Sequence, residues 1–405
     1  MNPLPMVFST LRADRRLNLT LVMLVMIATA LGVAIISQER ALKQASARAV
    51  DKFDLIVAAR GSITDVTLKS LFLRPGSVEL LSADVVRQVL AEKRVAFAAP
   101  LAFGDSVDGD PVVGTTRDLV LHLASGRIPE GRGFETWEEA VVGHASPLKV
   151  GDTFRTSHGH GPDETIGGLV HANTFTVVGR LSAQGSPWDR AVIIPVEQIW
   201  KLHNLPTGHP PGAETALGPP FDDAYLAGVP AMVVKPENLA GAYGLRNLFR
   251  TEKSTAFFPA EVLVGLYQVL GDIRVMMTAL AGGTQALVIA AVITCVVVLL
   301  RVHRRRFAVL RALGAPRTYV FACIWLYVVT IVVSGAAAGL VIGLAGSHLA
   351  GVYIGAQTGI ALTPSIGVHE VSLALLMVVV GCVFALVPAL ALYRDRLDRV
   401  LQVIS

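Results

Sequence analysis

Three histidines in one short polar stretch have the types and spacing that could do chemistry. His158 and His160 form an H-x-H pair in Ser-His-Gly-His-Gly, and His171 follows nearby. Imidazole nitrogens, together with carboxylates such as those of Asp163 and Glu164, are suited to zinc, iron or nickel. The spacing therefore predicts a metal site at His158, His160 and His171. A solvent-facing hairpin tip is the alternative, because glycine and aspartate favour exposed loops.

Other motifs of catalysis are missing from the 405 residues. The sequence contains no G-x-x-x-x-G-K-[ST] phosphate loop, no G-x-S-x-G elbow, no H-E-x-x-H helix and no C-x-x-C pair. Its three cysteines, Cys295, Cys323 and Cys382, all lie in apolar stretches. We therefore expect a protein that is not an enzyme, that binds no cofactor in this chain, and whose energy comes from elsewhere.

Hydrophobicity is concentrated in four uncharged spans, although 16% of the residues are charged. A span of about 20 apolar residues is long enough to cross a bilayer. The intervening block of about 230 residues carries short strand patterns, such as Ala140–Gly143, and a helix pattern at Ala83–Lys93. The predicted segments are an amphipathic helix with the first transmembrane helix (1–37), an extracytoplasmic α+β domain with flanking stalk helices (38–274), the second transmembrane helix (275–300), a cytoplasmic segment (301–317), the third transmembrane helix (318–350), an external loop (351–370), the fourth transmembrane helix (371–393) and a cytoplasmic tail (394–405).

The arginines predict the orientation of these spans. They precede the first span, recur through 301–317 and follow the fourth span, whereas 351–370 holds no lysine or arginine. By the positive-inside rule both termini are cytoplasmic and the large domain is periplasmic, in the inner membrane of a bacterium. Topology thus explains the net charge of +4 without a nucleic-acid partner. A cleaved signal peptide is the alternative for the first span, although its apolar region is long for one.

The segment 301–317 is basic and amphipathic. Phe307, Leu310 and Leu313 recur at helical spacing, which predicts an apolar face that docks into a groove of a soluble partner. A basic stop-transfer loop is the alternative. A second helical pattern lies in the third span, where small residues recur at every fourth position and predict close helix packing, within the chain or across a dimer. These residues are Gly335, Gly339, Gly343 and Ser347, followed by Gly351.

The stretch Phe307–Ala315 resembles the signature of FtsX-like permeases, the MacB- and LolC-type (type VII) ABC transporter subunits, although Arg306 stands where that family usually has Glu. Val150–Phe154 with Phe175–Gly179, Gly185–Pro195 and Pro388–Leu401 are similar to further parts of the family. The resemblance implies an α-helical membrane protein with four transmembrane helices and a MacB-type periplasmic core. It also implies a coupling helix that contacts the ATPase through Arg306, Phe307, Leu310, Arg311, Leu313 and Gly314.

The partners that the resemblance implies are two ABC ATPase subunits, which bind ATP–Mg, and a second permease copy. The expected function is a permease subunit that couples ATP hydrolysis to motion of a periplasmic domain, for export or handling of a periplasmic substrate. A periplasmic adaptor or substrate-binding protein is a further expected partner, and lipid surrounds the spans. The alternative is an FtsX-like transmembrane regulator that activates a periplasmic enzyme such as a cell-wall hydrolase. A membrane sensor without an ATPase is a third reading, which the docking segment disfavours.

Overall fold

The computed structural model describes residues 2–158, 170–213, 215–268, 275–276, 279, 282–283, 286–287, 290, 293–294, 297, 309–310, 314–358 and 362–386. The chain divides into two compact units. The helical unit comprises Met1–Leu42, Leu270–Tyr353 and Leu362–Ser405, and the α/β domain comprises Lys43–Val269 and Ile354–Ala361.

Nine helices are delimited among the described residues, and 259–268 are helical as well. Two of them, α2 and α8, are long and apolar enough to cross a membrane, since each contains an 18-residue window with a mean hydropathy of 2.7 or 2.3, respectively, and α9 is a shorter apolar helix. The nine are α1 (Leu4–Ala13), α2 (Arg15–Val50), α3 (Ile63–Ser70), α4 (Ala83–Leu90), α5 (Arg117–Leu123), α6 (Val196–Leu202), α7 (Leu239–Leu248), α8 (Arg317–Thr358) and α9 (Val368–Phe384).

The predicted count of four transmembrane helices stays a prediction. Most of the second predicted span, 275–300, lies outside the described residues, as does the C-terminal tail. The first predicted span is part of a longer element, because α2 continues without a break for 36 residues, or about 54 Å at 1.5 Å per residue. The predicted first span and the stalk predicted after residue 37 thus lie in one continuous helix.

The predicted external loop at 351–370 is wrong at both ends. Helix α8 continues to Thr358, and α9 begins at Val368, so helical residues extend into the predicted loop from both sides. The prediction ended this helix at about Ala350. However, the uncharged residues after Ala350 carry no helix-breaking signal, and the first proline is Pro364. At the other end, the carboxylate of Glu370 accepts a hydrogen bond from the Gly367 amide and starts α9.

The α/β domain is built on a mixed sheet of eleven strands, and the predicted mixed α and β character is confirmed. Nine strands lie in the order β11-β1-β10-β2-β3-β9-β5-β8-β4, with β6 paired to β8 and β7 to β2. The strands are β1 (Leu55–Ala59), β2 (Val95–Val107), β3 (Asp110–Thr115), β4 (Glu130–Gly131), β5 (Glu139–Val142), β6 (Thr153–Phe154), β7 (Ser157–His158), β8 (Phe175–Arg180), β9 (Val192–Pro195), β10 (Ala231–Pro236) and β11 (Ser254–Phe257).

Both faces of this sheet are buried, and strands such as β1 and β9 are accordingly apolar along their whole length. In β1, Leu55 and Val57 belong to one core cluster, whereas Ile56 and Ala58 belong to the other. Helices α4, α6 and α7 contribute to the first cluster, and α3 and α5 to the second. Strand β2 joins the two halves of the sheet, because it pairs with β10 up to Leu101 and with β3 from Ala102 onward.

Candidate functional site

The small-residue face of α8 lies against α2. A Cβ atom added at Gly339 would come within 2.6 Å of the Met26 carbonyl oxygen, and one at Gly343 within 2.7 Å of the Ala30 carbonyl oxygen. One at Gly335 would come within 2.7 Å of Val25. The two backbones therefore approach closely only because these positions carry no side chain. Further along α8, the backbone carbonyl of buried Ser347 accepts a hydrogen bond from the side-chain amide of Gln38 at 2.6 Å.

A buried ion pair joins α2 to the first turn of α9. The Glu370 side chain is fully buried, and Arg40 approaches both of its carboxylate oxygens at 3.0 Å. The same guanidinium also donates to the Ser365 carbonyl. A planar guanidinium that holds two oxygens of one carboxylate fixes orientation as well as distance. No local sequence signal predicts this pair, since the two residues are far apart in the chain and neither lies in a motif.

The predicted coupling segment is described only in part, and Arg306, Phe307, Arg311 and Leu313 lie outside the described residues. Val309 and Leu310 are helical. The Ala315 amide donates to the Leu310 carbonyl at 3.0 Å, and Gly314 has a φ of +94°, the hydrogen bond and left-handed residue of a Schellman cap. Leu310 is half-buried against the core of the helical unit, whereas Val309 is 57% exposed. Leu310 is thus not a freely exposed docking residue.

A second polar constellation lies in the α/β domain, where β2 contains a bulge. The register between β2 and β3 shifts between Phe103 and Asp105, and Gly104 has a φ of +150°, a backbone conformation that favours glycine. After the bulge, Asp105 pairs with His158 of β7. The Asp105 side chain is fully buried. The bulge therefore directs one carboxylate toward the strand that carries His158.

Three imidazoles surround this carboxylate. The Asp105 oxygens lie 3.1 Å from His158 Nδ1, 3.4 Å from His171 Nε2 and 3.7 Å from His203 Nε2. The structure thus brings together two of the predicted ligands, His158 and His171, while His160 lies outside the described residues. Asp105 and His203 were not predicted. Only the β2–β7 pairing and the position of His203 after α6 bring them to the site, and the sequence contains no local signal of either.

Glu197 of α6 is a second buried carboxylate in the domain. Burial raises the pKa of its carboxyl to about 7, although the Gly218 amide donates a hydrogen bond to it. His209 Nε2 lies 3.7 Å from the same carboxylate, and desolvation lowers the pKa of that imidazole. A cavity of about 280 Å³ borders Glu197, lined also by Thr115, Arg117 and Phe134 among others.

The long apolar helices, packed backbone to backbone, identify a membrane protein that carries a separate α/β domain. Residues 279–396 match the family model of the FtsX-like permease C-terminal domain. This part of the chain is therefore similar to the FtsX-like permease domain, and the resemblance noted at Phe307–Ala315 is confirmed. No curated protein sequence matches the chain.

Two solved structures are similar to part of the chain. The periplasmic region of MacB from Actinobacillus actinomycetemcomitans has 12% sequence identity and a TM-score of 0.34, covering 55% of this chain and 95% of that one. The extracellular domain of the noncanonic ABC-type transporter YknZ from Gram-positive bacteria has 10% identity and a TM-score of 0.29, covering 50% of this chain and 98% of that one. Both superpositions are loose, and no functional conclusion follows from them.

Proposed function

We propose that this chain is the membrane-spanning permease subunit of an ABC transporter, driven by a separate ATPase that binds ATP–Mg. The observation that carries the proposal is the FtsX-like permease match over 279–396, which contains the whole basic segment 301–317. That segment is the docking element for the ATPase. Two copies of the permease pair with two ATPase subunits, each copy docking one of them.

The proposed work of the subunit is mechanical. Helix α2 begins in the helical unit, and its last residues, Ala49 and Val50, belong to the core of the α/β domain. A continuous helix that is buried at its end transmits displacement with little loss, because its backbone hydrogen bonds resist bending. The close α2–α8 packing and the Arg40–Glu370 pair hold α2 to its neighbours, so the helices move together.

The proposed topology has both termini in the cytoplasm and the α/β domain outside, and the motion acts on a substrate in the periplasm. The arginine distribution supports this orientation. A cysteine at exposed Ser77 should react with a membrane-impermeant maleimide in spheroplasts, and a cysteine at Ala308 should react only after lysis. Labelling of position 308 in intact spheroplasts would contradict the topology.

The test of coupling uses the full chain in nanodiscs with the ATPase that copurifies with it. Alone, the chain should hydrolyse no ATP, and the complex should. Val309→Asp places a carboxylate on the exposed side of the segment, and we expect at least tenfold weaker ATPase retention, about 1.4 kcal/mol. Leu239→Asp, at a position that is 76% exposed in the α/β domain, is the matched control and should change nothing. Wild-type retention and turnover in Val309→Asp would refute docking through this segment.

A further inference from the structure

We propose that Asp105, His158, His171 and His203 form a binding site for a divalent transition-metal ion in the α/β domain. The four side chains come from three separate parts of the fold. Asp105 lies at the bulge of β2, His158 and His171 lie in and after β7, and His203 directly follows α6. The proposal does not depend on the permease function, since every ligand lies within the α/β domain.

The spacing of the donor atoms fits a metal ion. Ligand atoms about 2.0–2.1 Å from a tetrahedral Zn²⁺ lie about 3.3 Å from one another. The three imidazole nitrogens lie 3.1, 3.4 and 3.7 Å from the Asp105 oxygens. Donor atoms of Asp105, His158 and His171 all lie within 4.8 Å of one another. Asp105, His158 and His171 thus form the centre of the proposed site, and His203, whose Nε2 lies 3.7 Å from Asp105, would move closer to serve as the fourth ligand.

The hydrogen bonds around the site leave lone pairs where a metal needs them. His203 Nδ1 lies 2.8 Å from the Ile199 carbonyl oxygen, which can only accept a hydrogen bond. The proton of a neutral His203 is therefore assigned to Nδ1, and the lone pair of Nε2 faces Asp105. The Thr156 hydroxyl donates a hydrogen bond to Asp105 Oδ2 at 3.4 Å and thereby helps to orient the carboxylate. Such outer partners are typical of metal sites.

A set of simple ion pairs explains the cluster less well. Asp105 is fully buried, and within the described part of the chain the basic groups at ion-pair distance from it are these three imidazoles, which are charged only when protonated. Asp105 Oδ1 and His171 Nε2 are both buried and make no hydrogen bond there. Burying a carboxylate without a compensating charge costs several kcal/mol. A bound dication would supply that charge and use both unsatisfied atoms.

The donor set also selects the class of metal. Imidazole nitrogens suit zinc, copper, nickel and iron, whereas calcium and magnesium prefer sites made of oxygen ligands alone. Three imidazoles and one carboxylate at tetrahedral spacing favour Zn²⁺. A bound ion would tie the segment around β7 to both β2 and the end of α6. Metal binding should therefore stabilise the folded domain in proportion to the logarithm of the metal concentration.

The experiment uses the full chain, purified in detergent with an affinity tag that contains no histidine and stripped of metal with a chelator. Titration calorimetry with Zn²⁺ should give saturable binding of one ion per chain. Co²⁺ should bind with the intense visible absorption of a tetrahedral ion, and Ca²⁺ and Mg²⁺ should give no saturable heat. Absence of saturable Zn²⁺ binding to the wild-type chain would overturn the proposal.

Variants locate the binding. Asp105→Asn and His203→Ala should each weaken Zn²⁺ binding by about 100-fold or more, since even partners outside the coordination sphere change metal affinity by 10- to 100-fold. His144→Ala, at an exposed histidine away from the cluster, is the matched control and should bind as the wild type does. Near-UV circular dichroism separates lost ligands from lost folding. Should Asp105→Asn fail to fold, His203→Ala decides, and wild-type affinity in a folded His203→Ala would overturn the proposal.

Discussion

Glu370 and Asp105 are carboxylates whose side chains are fully buried among the described residues, and they differ in what faces them. Glu370, in the helical unit, meets the permanent charge of Arg40 at both of its oxygens and caps its own helix. Asp105, in the α/β domain, meets three imidazoles that carry charge only when protonated. The first carboxylate is neutralised under all ordinary conditions, whereas the second depends on protons or on a bound cation.

The difference separates a structural site from a site that can respond. A guanidinium remains charged at any physiological pH, so the Arg40–Glu370 pair holds α2 and α9 together constantly. Imidazoles gain and lose charge, and their lone pairs can bind a metal. The helical unit thus uses a buried charge for rigidity, and the α/β domain keeps one available for a ligand.

The largest effect should follow from removing the cation of the helical unit. Arg40→Met leaves Glu370 buried without a partner, which should lower the free energy of unfolding by about 3–5 kcal/mol. Thermal unfolding of the full chain in detergent measures it. In Arg40→Met/Glu370→Met the buried charge is gone, so most of the stability should return, less the cap on α9. An unchanged melting temperature in Arg40→Met would show that the pair does not hold the helices.

The next effect concerns Glu197, which extends the comparison to a buried carboxylate without a guanidinium. Its pKa of about 7 in the fold lies above the usual 4.5. The folded state therefore holds this proton more tightly, and the contribution to stability is complete below about pH 4.5 and lost as the pH rises through about 7. The loss is about 3 kcal/mol, at 1.36 kcal/mol for each pKa unit.

Glu197→Gln should flatten this pH dependence, because the amide oxygen can still accept from Gly218 and no charge is buried. Denaturant unfolding at pH 5 and pH 8 measures the difference, with Glu252→Gln as the control at an exposed glutamate. If both variants and the wild type lose stability equally between the two values, Glu197 does not govern the dependence.

A smaller effect tests the helix packing that accompanies the ion pair. Gly339→Ala would force a methyl group against the α2 backbone, which cannot rotate away, and should cost about 1–3 kcal/mol. Gly346 lies in the same helix with nothing within 4 Å of an added Cβ. Gly346→Ala should therefore stabilise the chain by about 0.5–1 kcal/mol through helix propensity alone. Equal melting temperatures for the two variants would contradict the close α2–α8 approach.

The smallest expected effect concerns the hydrogen bond that Thr156 donates to Asp105. Thr156→Val removes one long hydrogen bond to the carboxylate and should change the free energy of unfolding by about 1 kcal/mol or less without metal. On the proposal of a metal site, Zn²⁺ affinity should fall about tenfold, because the carboxylate loses its orienting partner. A change in the free energy of unfolding without any change in Zn²⁺ affinity would show that Thr156 does not orient the carboxylate for metal binding.

The sequence predicted best those features of the fold that depend on residues close together in the chain. Some elements depend only on patterns among neighbouring residues, and the structure contains them. These are the apolar helices α2 and α8, the helix at Ala83–Leu90 and the strands β5, β8 and β9. The loop at 351–370 rests on its lack of lysine and arginine, which indicates a side of the membrane but not where a helix ends. Its ends were wrong, because a helix can extend beyond the apolar layer that it crosses.

By itself the sequence determined the class of the protein and pointed to His158 and His171, since apolar length, arginine placement and the signature at Phe307–Ala315 are all local patterns. Only the tertiary structure decided which distant groups meet. The bulge at Gly104 and the end of α6 bring Asp105 and His203 to the histidines, and helix packing brings Arg40 to Glu370. Such pairs depend on strand register and on close packing between segments far apart in the chain, which no short stretch of sequence encodes.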